Sequence, residues 1–152
     1  MKKVLIMTAV VLLVFVTALV SNALSPRKNL KPSEYNLGTT YEIAIRDKKP
    51  AILLFYTDWC TYCLRFMPKY KMVEDIYKDK YNFVMINMDD PNYASLIKDY
   101  AIGGMPTLYI IDPQIDNRIL ISNTLYDDLS KLRVEFDRYL RIRSMIFSKP
   151  LK

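Results

Sequence analysis

Two rhythms of apolar and polar positions organise this chain. Ala51 to Tyr56 (AILLFY) and Phe83 to Met88 (FVMINM) are short, nearly continuous apolar runs, the pattern of strands buried on both faces. Thr107 to Ile111 and Arg118 to Ser122 read as a second, hairpin-like pair of strands. Between and around them the spacing turns helical. Thr39 to Arg46 offers Tyr41, Ile43 and Ala44 for packing, with Thr39 or Thr40 as the cap, and Lys48-Lys49-Pro50 ends it. Leu64 to Lys80 predicts a longer helix, Tyr93 to Tyr100 a short one carrying Ala94, Leu96 and Ile97, and Asp127 to Arg143 an amphipathic one. Asp89-Asp90-Pro91 breaks the second strand, and Gly103-Gly104-Met105-Pro106 makes a turn before the third. Strands alternating with helices, then a strand pair and a closing helix, predict an α/β sandwich with a mixed central sheet flanked by helices.

The N-terminus follows neither rhythm. Lys2 and Lys3 precede an apolar run over residues 4–20 that only Thr8 and Thr17 interrupt, and Ser21 and Ala23 suit cleavage after Ala23. Residues 1–23 therefore read as a secretory signal peptide, or alternatively as an uncleaved membrane anchor. Either way the rest of the chain lies outside the cytoplasmic membrane, in a periplasmic or other extracytoplasmic space. Residues 24–32 read as an exposed linker, 33–147 as one domain, and 148–152 as a basic tail.

Composition narrows the chemistry. The net charge of +6 falls by two if Lys2 and Lys3 leave with the leader. The remaining excess concentrates in Arg133, Arg138, Arg141, Arg143, Lys149 and Lys152, which alternate with apolar residues as a solvated helix face does. Nucleic acid is not an expected partner. The chain has no histidine and only two cysteines, Cys60 and Cys63, in the stretch Trp59-Cys60-Thr61-Tyr62-Cys63. That shortage leaves no usual N/S zinc site, and Leu64 stands where covalent haem attachment needs histidine. No metal or organic cofactor is expected. What remains is reversible redox chemistry of the pair or an inert staple, and a loop this short gives a staple little entropic value.

The pair lies where a strand meets a helix. The unpaired N–H groups of the first turn and the positive end of the helix dipole favour a thiolate on Cys60, the more N-terminal sulfur. Cys60 is therefore the expected nucleophile and Cys63 the resolving thiol.

From Thr39 to Leu140 the chain resembles the thioredoxin family, and among it the exported thioredoxin-like members. The resemblance rests on Phe55 to Cys63 (FYTDWCTYC), on Pro68 within the following helix, and on Gly103 to Thr107 (GGMPT) before a strand. It implies a thioredoxin-like sandwich, a cis bond before Pro106, and a Met105 backbone that pairs with an extended substrate segment. Trp59 resembles the family's exposed tryptophan at the active-site rim, and Thr61 and Tyr62 join it as expected substrate contacts. Asp58 reads as a solvated loop acid. The implied activity is thiol-disulfide exchange with protein thiols or disulfides and a separate redox partner, with the reductase direction preferred. The other reading is a non-catalytic binding or chaperone-like module with a vestigial or regulatory cysteine pair. Leu54 and Met85 stand where the family carries a buried aspartate and a lysine, so the usual proton-handling group beside the second thiol is missing.

Overall fold

The computed structural model describes residues 30–148. The signal or anchor segment, the linker up to Asn29 and the tail beyond Ser148 lie outside the described residues. Strand β1 (Ala51–Tyr56) is the spine of a four-stranded sheet in the order β2-β1-β3-β4. It runs parallel to β2 (Asn82–Asn87) and antiparallel to β3 (Thr107–Asp112), and β3 runs antiparallel to β4 (Asn117–Ile121). The parallel pair needs a crossover, supplied by the helix between them, whereas β3 and β4 are joined by a short turn. Register places Leu54 between Met85 on β2 and Leu108 on β3.

Every residue of β1 is buried, and its side chains divide by the period of the strand. Ile52, Leu54 and Tyr56 enter one core with helix α2 (Thr61–Tyr77) and helix α4 (Leu129–Ser148). Ala51, Leu53 and Phe55 enter the other, beneath helix α1 (Tyr41–Ala44) and helix α3 (Ala94–Lys98). Each fully buried Leu, Ile or Phe contributes roughly 1.5–3 kcal/mol. The first core is rich in tyrosine, and several of its hydroxyls end on backbone carbonyls. Tyr70 donates to Ile52 and Val84 (both 3.4 Å), and Tyr81 to Phe136 (2.8 Å).

Several boundaries differ from the sequence reading. Pro32, expected in the linker, starts a 3-10 turn over Pro32–Tyr35, because proline's fixed φ and missing N–H suit a first helical position. Helix α2 begins at Thr61 rather than Leu64, since the Cys60 side chain caps it by accepting from the Cys63 N–H. Pro68 is accommodated inside that helix. Helix α4 continues to Ser148, past the expected end at Arg143. Arg143 is not part of a solvated face. Its Nε donates to the buried carboxylate of Asp112 at 2.5 Å, and Tyr139 Oη donates to the same carboxylate at 3.2 Å. Another guanidinium nitrogen bonds the Lys48 carbonyl and the Gln114 side chain, tying the helix to the far end of the sheet.

Candidate active site

The C-terminal end of β1 and the start of α2 are joined by Thr57 to Cys60, and this loop sets both sulfurs. The Cys60 N–H donates to the Thr57 carbonyl at 3.4 Å, closing the turn, and the Cys63 N–H donates to Cys60 Sγ at 3.1 Å. Both cysteines are free thiols. Cys60 keeps an exposed edge at 6%, while Cys63 is 1% exposed and sits in the core with Leu54 and Phe66. Burial pushes the Cys63 thiol up to about 12; its hydrogen bond to Cys60 adds to this, and the Thr57 backbone pulls weakly the other way. At neutral pH Cys63 therefore holds its proton. The Cys60 sulfur instead accepts a backbone hydrogen bond at the N-terminus of α2.

Across from the pair, Met105-Pro106 forms a cis peptide bond, and the Cys60 thiol donates to the Met105 carbonyl at 3.5 Å. An open groove of about 820 Å³ runs from this loop, bounded by Tyr62, Arg65 and Phe66 of α2, Gly104 to Pro106, and Leu120 to Asn123. Tyr126 also lines it and joins the two strands that form its far wall. The Tyr126 hydroxyl accepts from the Leu108 N–H at 2.7 Å and donates to the Ile121 carbonyl at 3.1 Å, joining two residues that are partners in the β3–β4 register. Tyr126→Phe leaves both backbone groups buried and unpaired, so a loss of about 2 kcal/mol is expected. A lower urea midpoint at unchanged slope checks it.

Tyr62, Met105 and Pro106 are thus brought together on one groove. Trp59 and Thr61 do not line it. Trp59 is 69% exposed, with its indole N–H donating to Asp89 at 2.8 Å. Thr61 is the exposed first residue of α2. Asp58 is not merely solvated: its carboxylate accepts from both the N–H (2.9 Å) and the hydroxyl (2.7 Å) of Ser33. The sequence reading also missed Arg65, Phe66, Leu120, Ser122 and Asn123, which line the groove. Only Phe66 carried a signal, as an apolar position on the helix; the others meet the site through tertiary packing. Among the described residues no group of three His, Cys, Asp or Glu could hold a metal ion, and no helix is long and apolar enough to cross a membrane.

A dithiol at a helix N-terminus, facing a cis-proline loop at the end of a mixed sheet, defines a thioredoxin-fold protein with an exchangeable cysteine pair. The thioredoxin family model matches residues 34–131, and the chain belongs to the thioredoxin family. The thiol:disulfide interchange protein TxlA of Synechococcus elongatus is 30% identical over 114 residues, covering 75% of this chain and 59% of that protein. The chloroplastic thioredoxin-like protein HCF164 of Oryza sativa subsp. japonica is 36% identical over 76 residues, covering 50% of this chain and 29% of its own length. The chain thus spans less than two thirds of the length of either relative. Among solved structures, the Trx4 domain of ERdj5 aligns with a TM-score of 0.54 at 19% identity, covering 73% of this chain and 92% of that one. The thioredoxin Deadhead of Drosophila melanogaster gives 0.51 at 22% identity, covering 62% and 87%. At these identities the structural likeness shows the fold.

Proposed function

We propose that this protein is a thiol-disulfide oxidoreductase acting on protein partners outside the cytoplasmic membrane, in the reductase direction. One observation carries the reading: Cys60 Sγ caps α2, receives the Cys63 N–H at 3.1 Å, and bonds the carbonyl of Met105, a residue that lines an open groove of about 820 Å³. Cys60 attacks a client disulfide, forming a Cys60–client bond and releasing one client thiolate. Cys63 then loses its proton and attacks Cys60 Sγ, releasing the second client thiolate. Two electrons have passed from the Cys60/Cys63 dithiol to the client, and a separate dithiol partner restores the pair. The redox group is the pair itself, with no further cofactor. Tyr62, Met105 and Pro106 hold the client segment, the Met105 backbone pairing with it as an added strand. Trp59 and Thr61, both exposed next to Cys60, add contacts to it. The apolar run over residues 4–20 and the flanking small residues support export, with retention of the run giving membrane association.

Cys63→Ser tests the mechanism. It removes the resolving thiol and keeps the attacking one, so covalent client adducts through Cys60 should accumulate and vanish on strong reduction in non-reducing gels. Absence of adducts, together with failure of the unaltered protein to reduce a model protein disulfide, would support the alternative of a non-catalytic binding module. Leu54 and Met85, buried or half-buried without charge near the pair, are the observation that favours that alternative.

A further inference from the structure

The resolving step described above requires Cys63 to give up a proton, and among the described residues no charged side chain is hydrogen-bonded to it. The Cys63 side chain shares its hydrophobic cluster with Tyr56, Tyr70, Tyr77, Tyr81, Tyr126 and Tyr139, and the buried carboxylate at the edge of that cluster, Asp112, is bonded to Tyr139 and Arg143. Five of those tyrosine hydroxyls are spent elsewhere: Tyr70, Tyr77, Tyr81 and Tyr126 donate to backbone carbonyls, and Tyr139 to Asp112. Tyr56 is itself pushed up to about 12, by burial and then by the nearby Asp58, so it supplies no base at neutral pH. Arg65 of α2 is exposed on the groove, and the loop opposite, Gly103 to Thr107, contributes no charged side chain. Cys60 is the side chain hydrogen-bonded with Cys63 among the described residues, and the backbone of Thr57 and of Cys63 itself favours the charged form of that thiol.

Thr57 is the exception to an otherwise satisfied interior. It is 1% exposed, and its Oγ1 is the buried side-chain polar atom left without a hydrogen-bond partner among the described residues. An unpaired buried hydroxyl is destabilising, by about 1–3 kcal/mol, so its retention here calls for a partner in another state of the cycle. Its backbone lies beside the pair: the Thr57 carbonyl accepts from the Cys60 N–H at 3.4 Å, and the Thr57 backbone favours the charged form of Cys63. A hydroxyl can accept the thiol proton and donate to the sulfur that loses it. Rotation about the single χ1 of threonine selects among three staggered positions without moving the backbone.

We propose that the Thr57 hydroxyl is the hydrogen-bond partner of Cys63 in the mixed-disulfide state, donating to the thiolate as it forms and speeding resolution. The proton leaves Cys63 for solvent water, the Cys63–Cys60 bond forms, the Cys60–client bond breaks, and the departing client thiolate takes a proton from water. Thr57 is neither oxidised nor consumed. This rests on the oxidoreductase reading given above, and the experiment separates the two.

Thr57→Val keeps the shape and removes the hydroxyl, and it discards an unpaired buried group, so the variant should fold at least as well as the unaltered protein. Thr57→Ser restores the hydroxyl. Single-turnover reaction with an aromatic disulfide that releases two coloured thiolates in sequence reads attack and resolution separately. Thr57→Val should leave the first release within about 2-fold and slow the second about 10-fold at neutral pH, with the pH profile of the second displaced upward by about one unit; Thr57→Ser should return both. An unchanged second release across the pH range overturns the proposal. If the unaltered protein releases neither thiolate, the oxidoreductase reading fails instead. Thiolate absorbance of Cys63 in the Cys60→Ser background then still decides on Thr57. A midpoint higher in the valine than in the serine variant supports the hydrogen bond, and equal midpoints refute it.

Discussion

Cys60→Ser is expected to abolish disulfide exchange, with turnover of a model protein disulfide falling by at least about 10³-fold. A serine hydroxyl stays protonated at neutral pH and cannot form the mixed disulfide, and the remaining thiol, Cys63, is sealed in the core. The fold should be indifferent to the change. Serine is a better helix N-cap than the sulfur it replaces, so the Cys63 N–H keeps an acceptor and the thermal midpoint should hold or rise slightly. Loss of activity with an unchanged melting curve is the outcome to look for. Retention of exchange would mean that the chemistry belongs to Cys63 and that the assigned order of attack is wrong.

The second large effect concerns a residue far from any chemistry. Gly38 has φ of +72°, and a Cβ built there would lie 2.0 Å from the carbonyl oxygen of Phe83. That oxygen belongs to the buried strand β2 and already accepts the Thr39 N–H at 2.8 Å, the bond that pins the segment before α1 against the sheet edge. Gly38→Ala must therefore break the bridge or displace the strand, besides placing alanine in left-handed backbone. A loss of about 3 kcal/mol or more is expected, a fall of roughly 10 °C or more in melting temperature for a domain of this size. Gly103→Ala is the control: nothing lies within 4 Å of its added methyl, and the change should stay within about 0.5 kcal/mol. Equal melting temperatures for the two variants would contradict the contact at Gly38.

What the sequence made legible was whatever depends on local pattern. Strand β1 was bounded to the residue, because six consecutive side chains are buried on both faces and Pro50 precedes them. The cis-proline loop was legible only through resemblance, since two glycines and a proline spell an ordinary turn on composition alone. The start of α2 was misplaced because Thr61 and Tyr62 are poor helix formers, and the cap that starts it is a sulfur, outside the usual set of oxygen-bearing caps. Arg143 read as solvated because its partner, Asp112, lies 31 positions away on another element. The groove's far wall, Leu120 to Asn123, was invisible for the same reason: β4 reaches the site only after the sheet has formed. Asp58 looked like a free surface acid, and nothing local announced that Ser33 would come back to claim it.

That return has a geometric result. Because Ser33 is fastened two residues from Cys60 on the chain's other arm, the polypeptide enters the domain at its reactive pole rather than behind it. Fully extended, the stretch from Val20 to Ser33 reaches no farther than about 45 Å. Were residues 4–20 to remain embedded in a bilayer, that leash would keep the attacking sulfur in a shell beside the lipid surface, within reach of neighbours tethered there.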